Sequence, residues 1–320
     1  MSNSRAVFLD LIPLDQGDLD LALLRSAFAE LVCHEHTSES QIIDRLKGAQ
    51  VAIVNKVTLS ESVFDACPDL KLILVAATGV NNIDLAAAKQ RGIAVCNCQA
   101  YGTATVAQHT IMLLLALATR LPDYQGAVAR SRWQESGQFC LLDFPIVELA
   151  GKTLGVLGHG ELGSAVAGLA EALGMRVVTG NLPGRPPRED RLDLDKLLPQ
   201  VDALTLHCPL TEQTRNLIGA RELQLMKPSA FIINTARGGL IDEQALADTL
   251  RSGHLGGAAT DVLTSEPPSN DNPLLAADVP RLIVTPHSAW GSREARQRIV
   301  GQLCENADAY FGGTPKRQVG

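Results

Sequence analysis

A chain of 320 residues, 46% hydrophobic and 20% charged, holds enough apolar material for two cores of ordinary domain size. Its formal charge of −7 leaves no broad basic face of the kind that phosphate backbones need, which argues against nucleic acid and favours a small ligand. The first apolar run is broken by Asp10 and Pro13 and is too short for a signal peptide, while TIMLLLALA (110–118) reaches only half of the ~18 residues that span a bilayer. Seven scattered cysteines suit reduced thiols, so a cytoplasmic protein without a membrane or disulfide framework is expected. Cys33, His34 and His36 lie close in sequence, as do Cys96 and Cys98, but neither group has further ligands in view and no metal is expected.

In chain order, apolar runs predict strands at 5–11, 50–55, 70–78, 93–97, 152–158, 176–179, 203–208, 230–236, 256–262 and 281–287. Helical patterns lie between them at 20–32, 40–49, 83–92, 161–174, 242–253 and 292–311. Such alternation predicts right-handed βαβ units in parallel sheets, covered by helices on both faces. Residues 103–133 interrupt the rhythm and read as a helical crossover between two α/β lobes.

The strongest local motif is GHGELG, residues 158–163, directly after an apolar strand and directly before a helix. Gly158 permits a tight turn, Gly160 lets backbone N–H groups approach a pyrophosphate, and Gly163 lets the helix pack on the sheet. The helix N-terminus supplies the positive end of a dipole, where Glu161 is also suited to sit. The next strand ends in VVTGN, and Asn181 stands where an Asp or Glu normally holds the ribose hydroxyls. An amide does not repel a 2′-phosphate, and Arg185 and Arg188 follow in the same loop. The other reading of this loop is a solvated turn whose arginines pair with Glu189 and Asp190.

Two later strand ends offer chemistry. Arg237 in NTARGG could clamp a carboxylate and polarise a neighbouring carbonyl. His287 in TPHSAW could exchange a proton near neutral pH, with Glu266 in TSEPP to orient it and favour its charged form.

Together these motifs resemble those of the D-isomer-specific 2-hydroxyacid dehydrogenases, in the family's order: LKLILVAATGVNNIDLAAAKQRGIAVCN, VAQH, GHGELG, LHCPLTEQTRNLI, NTARGG, DV with SEP, and TPHSAW. Within that family the chain is most similar to the hydroxypyruvate and glyoxylate reductases, also called glycerate dehydrogenases. The resemblance implies two Rossmann-like doubly wound parallel-sheet domains with the active site in the cleft between them. Residues 1–102 with 288–320 would form the substrate domain and 103–287 the dinucleotide domain.

It further implies a catalytic trio of Arg237, Glu266 and His287, with the backbone of Thr78, Gly79 and Val80 facing the substrate carboxylate. Trp290, where small residues are frequent, either narrows the substrate pocket or packs elsewhere. Cofactor contacts would come from Thr105 and Val106; from Gly158, His159, Gly160, Glu161, Leu162 and Gly163; and from Asn181, Arg185, His207, Cys208, Pro209 and Thr214. Thr235, Ala236, Arg237, Asp261 and His287 would complete that set, with Asp261 approaching the nicotinamide carboxamide. The cofactor would be NAD(P), with NADPH accepted at least as well as NADH, and the protein a homodimer through its dinucleotide domain. Gln108 and Pro268 are further departures from the family's pattern, and none of them removes the trio. Two other functions stay open: a dehydrogenase of the same scaffold acting on D-lactate, formate or phosphite, and a non-enzymatic dinucleotide-sensing corepressor-like protein.

Overall fold

The computed structural model describes residues 2–320 and divides the chain into two compact units, Met1–Gly102 with Gly291–Gly320, and Thr103–Trp290. In the first unit β1 (Ser2–Phe8), β2 (Phe28–Cys33), β3 (Val51–Val54), β4 (Leu72–Val75) and β5 (Ala94–Cys96) are joined through short helices α1 (Ala22–Ser26), α2 (Ile42–Leu46), α3 (Glu61–Ala66) and α4 (Leu85–Gln90). The second unit opens with α5 (Thr103–Ala118), α6 (Leu121–Ala129) and α7 (Arg132–Ser136). It continues through β6 (Thr153–Leu157), α8 (Glu161–Ala172), β7 (Arg176–Gly180), α9 (Leu194–Leu197), β8 (Ala203–Leu206), α10 (Ala220–Leu225), β9 (Phe231–Asn234), α11 (Glu243–Arg251), β10 (Gly257–Thr260) and β11 (Leu282–Val284). The chain then completes the first unit with α12 (Arg293–Phe311) and β12 (Gln318–Val319).

Both units are α/β with six-stranded sheets, in the orders β12-β5-β4-β3-β1-β2 and β11-β10-β9-β8-β6-β7. The second sheet is parallel throughout. A single parallel bridge from Leu192 to Gly180 extends it beyond β7, at the place of the third strand in the dinucleotide-binding order 3-2-1-4-5-6. Alternation along its strands explains how it is covered on both faces. Leu157, Leu204, Leu206, Ile232 and Ala258 point into one core. Leu154, Val156, Phe231, Ile233 and Ala259 point into a second core, shared with Val166 of α8 and Ile111, Leu114 and Leu117 of α5. The near-continuous apolar strand sequences are the consequence of this two-sided burial.

Three expectations differ from the structure. Residues 20–32 are not one helix: α1 stops at Ser26, and Phe28–Cys33 pairs in parallel with β1, Val7 opposite Val32 and Phe8 opposite Cys33. Pairing on an open sheet edge outweighs the helical spacing of Leu21, Leu24 and Leu31. The first sheet is not wholly parallel, because β12 pairs antiparallel with β5; two residues are too few to leave a periodic signal. Residues 288–290 lie with the second unit rather than the first, and Ser288 and Ala289 are tied there through their backbone N–H groups to Asp261.

No single helix among the described residues is long and apolar enough to cross a membrane; α5 and α6 reach that length only as a pair bent by 62°. Packed on β9, β10 and α8, α5 is a core helix.

Candidate active site

Within the second unit, the glycine loop, Asn181, His207, Arg237, Asp261 and His287 each follow the carboxyl end of a parallel strand, where open α/β sheets bind ligands. The glycine loop follows β6. Gly158 has φ +98°, and a side-chain carbon there would lie 2.5 Å from the backbone carbon of His207, so the turn is pressed against the end of β8. A carbon on Gly163 would lie 2.2 Å from the carbonyl oxygen of Gly158, which holds α8 close over the turn. At Gly160, by contrast, it would meet nothing within 4 Å. Two glycines are therefore demanded by the protein's own packing and the third by open space beside exposed His159 and Glu161 at the N-terminus of a 12-residue helix. That combination fits an anionic pyrophosphate. Glu161 accepts a hydrogen bond of 2.5 Å from the Thr103 hydroxyl, joining the first turns of α8 and α5. Thr105 and Val106 follow in that turn of α5, and Val106 is buried.

After β8, the His207 ring meets the Thr205 hydroxyl at 2.9 Å through Nε2, while its Nδ1 is buried without a partner among the described residues. Burial pushes the imidazole down to about 4, so the ring is neutral at pH 7. Cys208 is buried and its thiol is pushed up to about 11 by burial. Thr214 donates to the Pro209 carbonyl at 2.7 Å and accepts from the Thr211 N–H at 2.7 Å, fixing the 209–214 turn. Pro209, Thr211, Gln213 and Thr214 line a cavity of about 90 Å³ together with Leu182, Pro183, Gly184 and Arg185 from the loop after β7.

That loop resolves its arginines differently. Arg188 pairs with Asp190 at 3.0 Å, the solvated reading of the loop. The Arg185 guanidinium makes no hydrogen bond or ion pair among the described residues and faces the cavity as a free cation. Asn181 is engaged within the loop: its carbonyl oxygen accepts from the Arg188 N–H at 3.0 Å and its amide donates to Asp193 Oδ1 at 3.0 Å. Asp193 was not anticipated from spacing. It follows the one-residue bridge at Leu192, so a carboxylate does stand beside the Asn181 position, 12 residues later in sequence.

Past β9, Asn234 is 2% exposed and braces the turn that carries Arg237; its Oδ1 accepts from the Ala236 N–H at 3.0 Å and its amide donates to the Arg237 carbonyl at 2.9 Å. Thr235 and Ala236 are buried inside that turn, and the Thr235 hydroxyl meets the Thr110 hydroxyl of α5 at 2.8 Å. Arg237 itself is exposed. One guanidinium nitrogen donates to the Ala236 carbonyl at 2.7 Å, and the remainder has no partner among the described residues. At Gly238 a side-chain carbon would lie 2.0 Å from the Leu263 carbonyl oxygen, so the Arg237 turn rests directly on the backbone of the loop that carries Glu266.

Glu266 Oε1 accepts from the Leu263 N–H at 2.9 Å, and Oε2 lies 2.6 Å from Nδ1 of His287. A carboxylate only accepts, so Nδ1 carries the proton. Nε2 makes no hydrogen bond among the described residues, and it is the ring nitrogen left to serve a ligand. His287 holds φ +52°, and its N–H donates to the Asp261 carbonyl at 2.8 Å. The Asp261 side chain, 1% exposed, is occupied by the same loop: Oδ1 accepts from the Thr285 hydroxyl at 2.6 Å and the Ser288 N–H at 2.9 Å, and Oδ2 from the Ala289 N–H at 2.9 Å. Trp290, half-buried, follows this loop.

In the first unit, Thr78, Gly79 and Val80 also follow a strand end, that of β4. The Asn97 amide holds the Thr78 carbonyl at 2.7 Å, while the backbone N–H groups of residues 78–80 donate to no other described residue. A run of free N–H groups is suited to an anion. Among the described residues no group of three or more His, Cys, Asp or Glu could hold a metal. Burial pushes the Cys96 and Cys98 thiols up to about 11 and about 12.

Residues 111–289 match the family described as "D-isomer specific 2-hydroxyacid dehydrogenase, NAD binding domain". The glycerate dehydrogenase of Methylorubrum extorquens is 46% identical over 308 residues, 96% of this chain and 97% of that one. The chain belongs to the D-isomer-specific 2-hydroxyacid dehydrogenase family. A hydroxypyruvate reductase of Blautia hydrogenotrophica is 36% identical to this dehydrogenase over 318 residues, 97% of this chain and 98% of the relative. Among solved structures, an acyclic imino acid reductase (Bsp5) in complex with NADPH and D-Arg superposes with a TM-score of 0.84 at 28% identity, covering 98% of this chain and 99% of that one. This dehydrogenase thus takes a nicotinamide dinucleotide as cofactor, and the glycine loop on β6 and α8 is shaped for one. Its substrate is a small-molecule hydroxy or keto acid.

His207 makes stability depend on pH. Unfolded, it takes up a proton near 6.5; folded, only near 4, so stability is lost as pH falls from 6.5 to 4, by up to about 3 kcal/mol. Urea unfolding should show His207→Gln losing about that much less than the parent across this range, whereas parallel pH profiles would contradict the assignment.

Proposed function

We propose that this dehydrogenase interconverts hydroxypyruvate or glyoxylate and the corresponding D-2-hydroxy acid, with His287 as proton donor, Glu266 as its orienting partner and Arg237 as the carboxylate clamp. The observation that carries the reading is the 2.6 Å contact from His287 Nδ1 to Glu266, which fixes the imidazole and leaves Nε2 uncommitted. When bound, the reduced nicotinamide supplies a hydride to C2 of the keto acid. His287 then delivers the proton at Nε2 to the carbonyl oxygen, while Glu266 holds the ring in place through Nδ1. Arg237, with most of its guanidinium free, holds the substrate carboxylate and stabilises charge growing on the carbonyl oxygen. In the first unit, the free N–H groups of Thr78, Gly79 and Val80 are suited by themselves to an anion such as a carboxylate. The relatives named for glycerate and hydroxypyruvate support a small substrate, as does Trp290 in place of a small residue.

For the cofactor we assign the Arg185 cavity to a 2′-phosphate, so that NADPH is accepted at least as well as NADH. A guanidinium without an acidic partner supports this; Asp193 beside Asn181 works against it. Between residues 121 and 146 the second unit exposes Leu121, Val128, Trp133, Phe139, Leu142 and Ile146, Phe139 at 92%. Water-exposed residues of this kind in series support a homodimer formed through this unit. Seven free cysteines suit a cytoplasmic location.

His287→Ala should lower kcat on hydroxypyruvate by ~10²-fold or more; a variant that keeps above about a tenth of parental turnover would remove the proton-donor role. Arg185→Ala should raise KM for NADPH while leaving that for NADH unchanged, and an unaltered NADPH KM would return the loop to solvent. In sedimentation equilibrium the parent should be a dimer and Phe139→Asp with Leu142→Asp a monomer; a monomeric parent would contradict the interface.

A further inference from the structure

The acid/base histidine stands in a left-handed backbone conformation that residues other than glycine adopt uncommonly. A non-glycine residue at φ +52° persists only where the surroundings over-determine it. Those surroundings are the buried Asp261 carboxylate, whose acceptors are filled by Thr285, Ser288 and Ala289 on either side of His287. The arrangement reaches one residue further. His109, on α5, places Nε2 at 3.0 Å from the Thr285 hydroxyl oxygen and at 3.6 Å from Asp261 Oδ1. Thr285 has a single hydroxyl hydrogen, and the 2.6 Å contact directs it to Asp261. Its oxygen must therefore accept from His109, which puts a proton on His109 Nε2 and aims that N–H at the Thr285–Asp261 pair.

We propose that His109 is a positioning residue for catalysis: its Nε2–H holds the Thr285 hydroxyl on Asp261, and Asp261 holds the backbone that presents His287. Nothing in this role needs His109 to touch substrate or cofactor. It sits on the crossover helix, remote in sequence from the loop it stabilises, and the same helix is anchored at Thr103 to Glu161 and at Thr110 to Thr235. The glycine loop, the Arg237 turn and the His287 loop are thus each held by a side chain of α5. Without the His109 donor, the Thr285 hydroxyl is free to turn from Asp261, and the reacting ring nitrogen loses its fixed position. The chemical step suffers while the binding surfaces stay in place, because small misplacements of a reacting group cost far more in rate than in affinity.

This inference rests on His287 as proton donor, a reading tested separately by parental turnover and its loss in His287→Ala. His109→Phe, which keeps a ring but has no donor, should lower kcat by roughly 10- to 100-fold with KM for keto acid and cofactor within about twofold of the parent. His109→Gln, whose amide can supply an N–H near the position of Nε2, should restore kcat to within about threefold. Thr285→Val removes the middle of the relay and should match His109→Phe, and the double variant should lose no more than either single change, since both break one chain. If His109→Phe does not fold, Thr285→Val against the parent carries the test. Parental kcat in either variant, equal losses in His109→Phe and His109→Gln, or losses that multiply in the double variant would each overturn the proposal.

Discussion

The site depends on one buried carboxylate. Asp261, at the end of β10, is 1% exposed, and a charge so placed is tolerable only when its oxygens are filled with donors. It takes them from the neighbouring strand end, so solvating the charge and shaping the loop from Thr285 to Ala289 are one event. The same device recurs in milder form at Asn234, which braces the Arg237 turn, and at Asp10 in the first unit, which accepts the N–H groups of Asn55, Lys56 and Val57. Each lies at or just past a strand's carboxyl end, where the sheet ladder stops and backbone groups need partners. These buried polar residues convert the edge of a rigid sheet into fixed loops.

Close backbone approach then links those loops. Gly238 rests on Leu263, three residues before Glu266, and Glu266 holds His287, so the trio is joined by contacts that leave no room for a side chain at 238. On the cofactor side, Gly158 and Gly163 perform the same packing task, and Gly160 alone faces open space. The glycines of one motif thus divide into two that the fold's own packing requires and one that it does not.

Much of this was legible in the sequence. The strands from β6 onward were readable because burial on both faces makes them continuous apolar runs, and GHGELG was readable because its strand and helix context is local. The pairing of Glu266 with His287, 21 residues apart, rested on family resemblance, and the geometry brings the two together at 2.6 Å. What was hidden has a common cause. β2 exists only because β1 offers it an edge, Asp193 nears Asn181 only through the Leu192 bridge, and His109 meets Thr285 across 176 residues. Periodicity reports which face a residue buries, not which distant partner waits there. The arginines after β7 show the difference plainly, since Arg188 and Arg185 are alike in sequence and only one of them finds an acid.

Among the described residues, His287 keeps Nε2 without a hydrogen-bond partner and Arg237 keeps most of its guanidinium so, as the proposed keto-acid reduction requires. The most direct measurement is kcat/KM for hydroxypyruvate, glyoxylate and pyruvate, each with NADH and with NADPH. Turnover on hydroxypyruvate or glyoxylate above that on pyruvate, yielding the D-hydroxy acid, is the expected result; tight dinucleotide binding with no turnover on any of the three would contradict it.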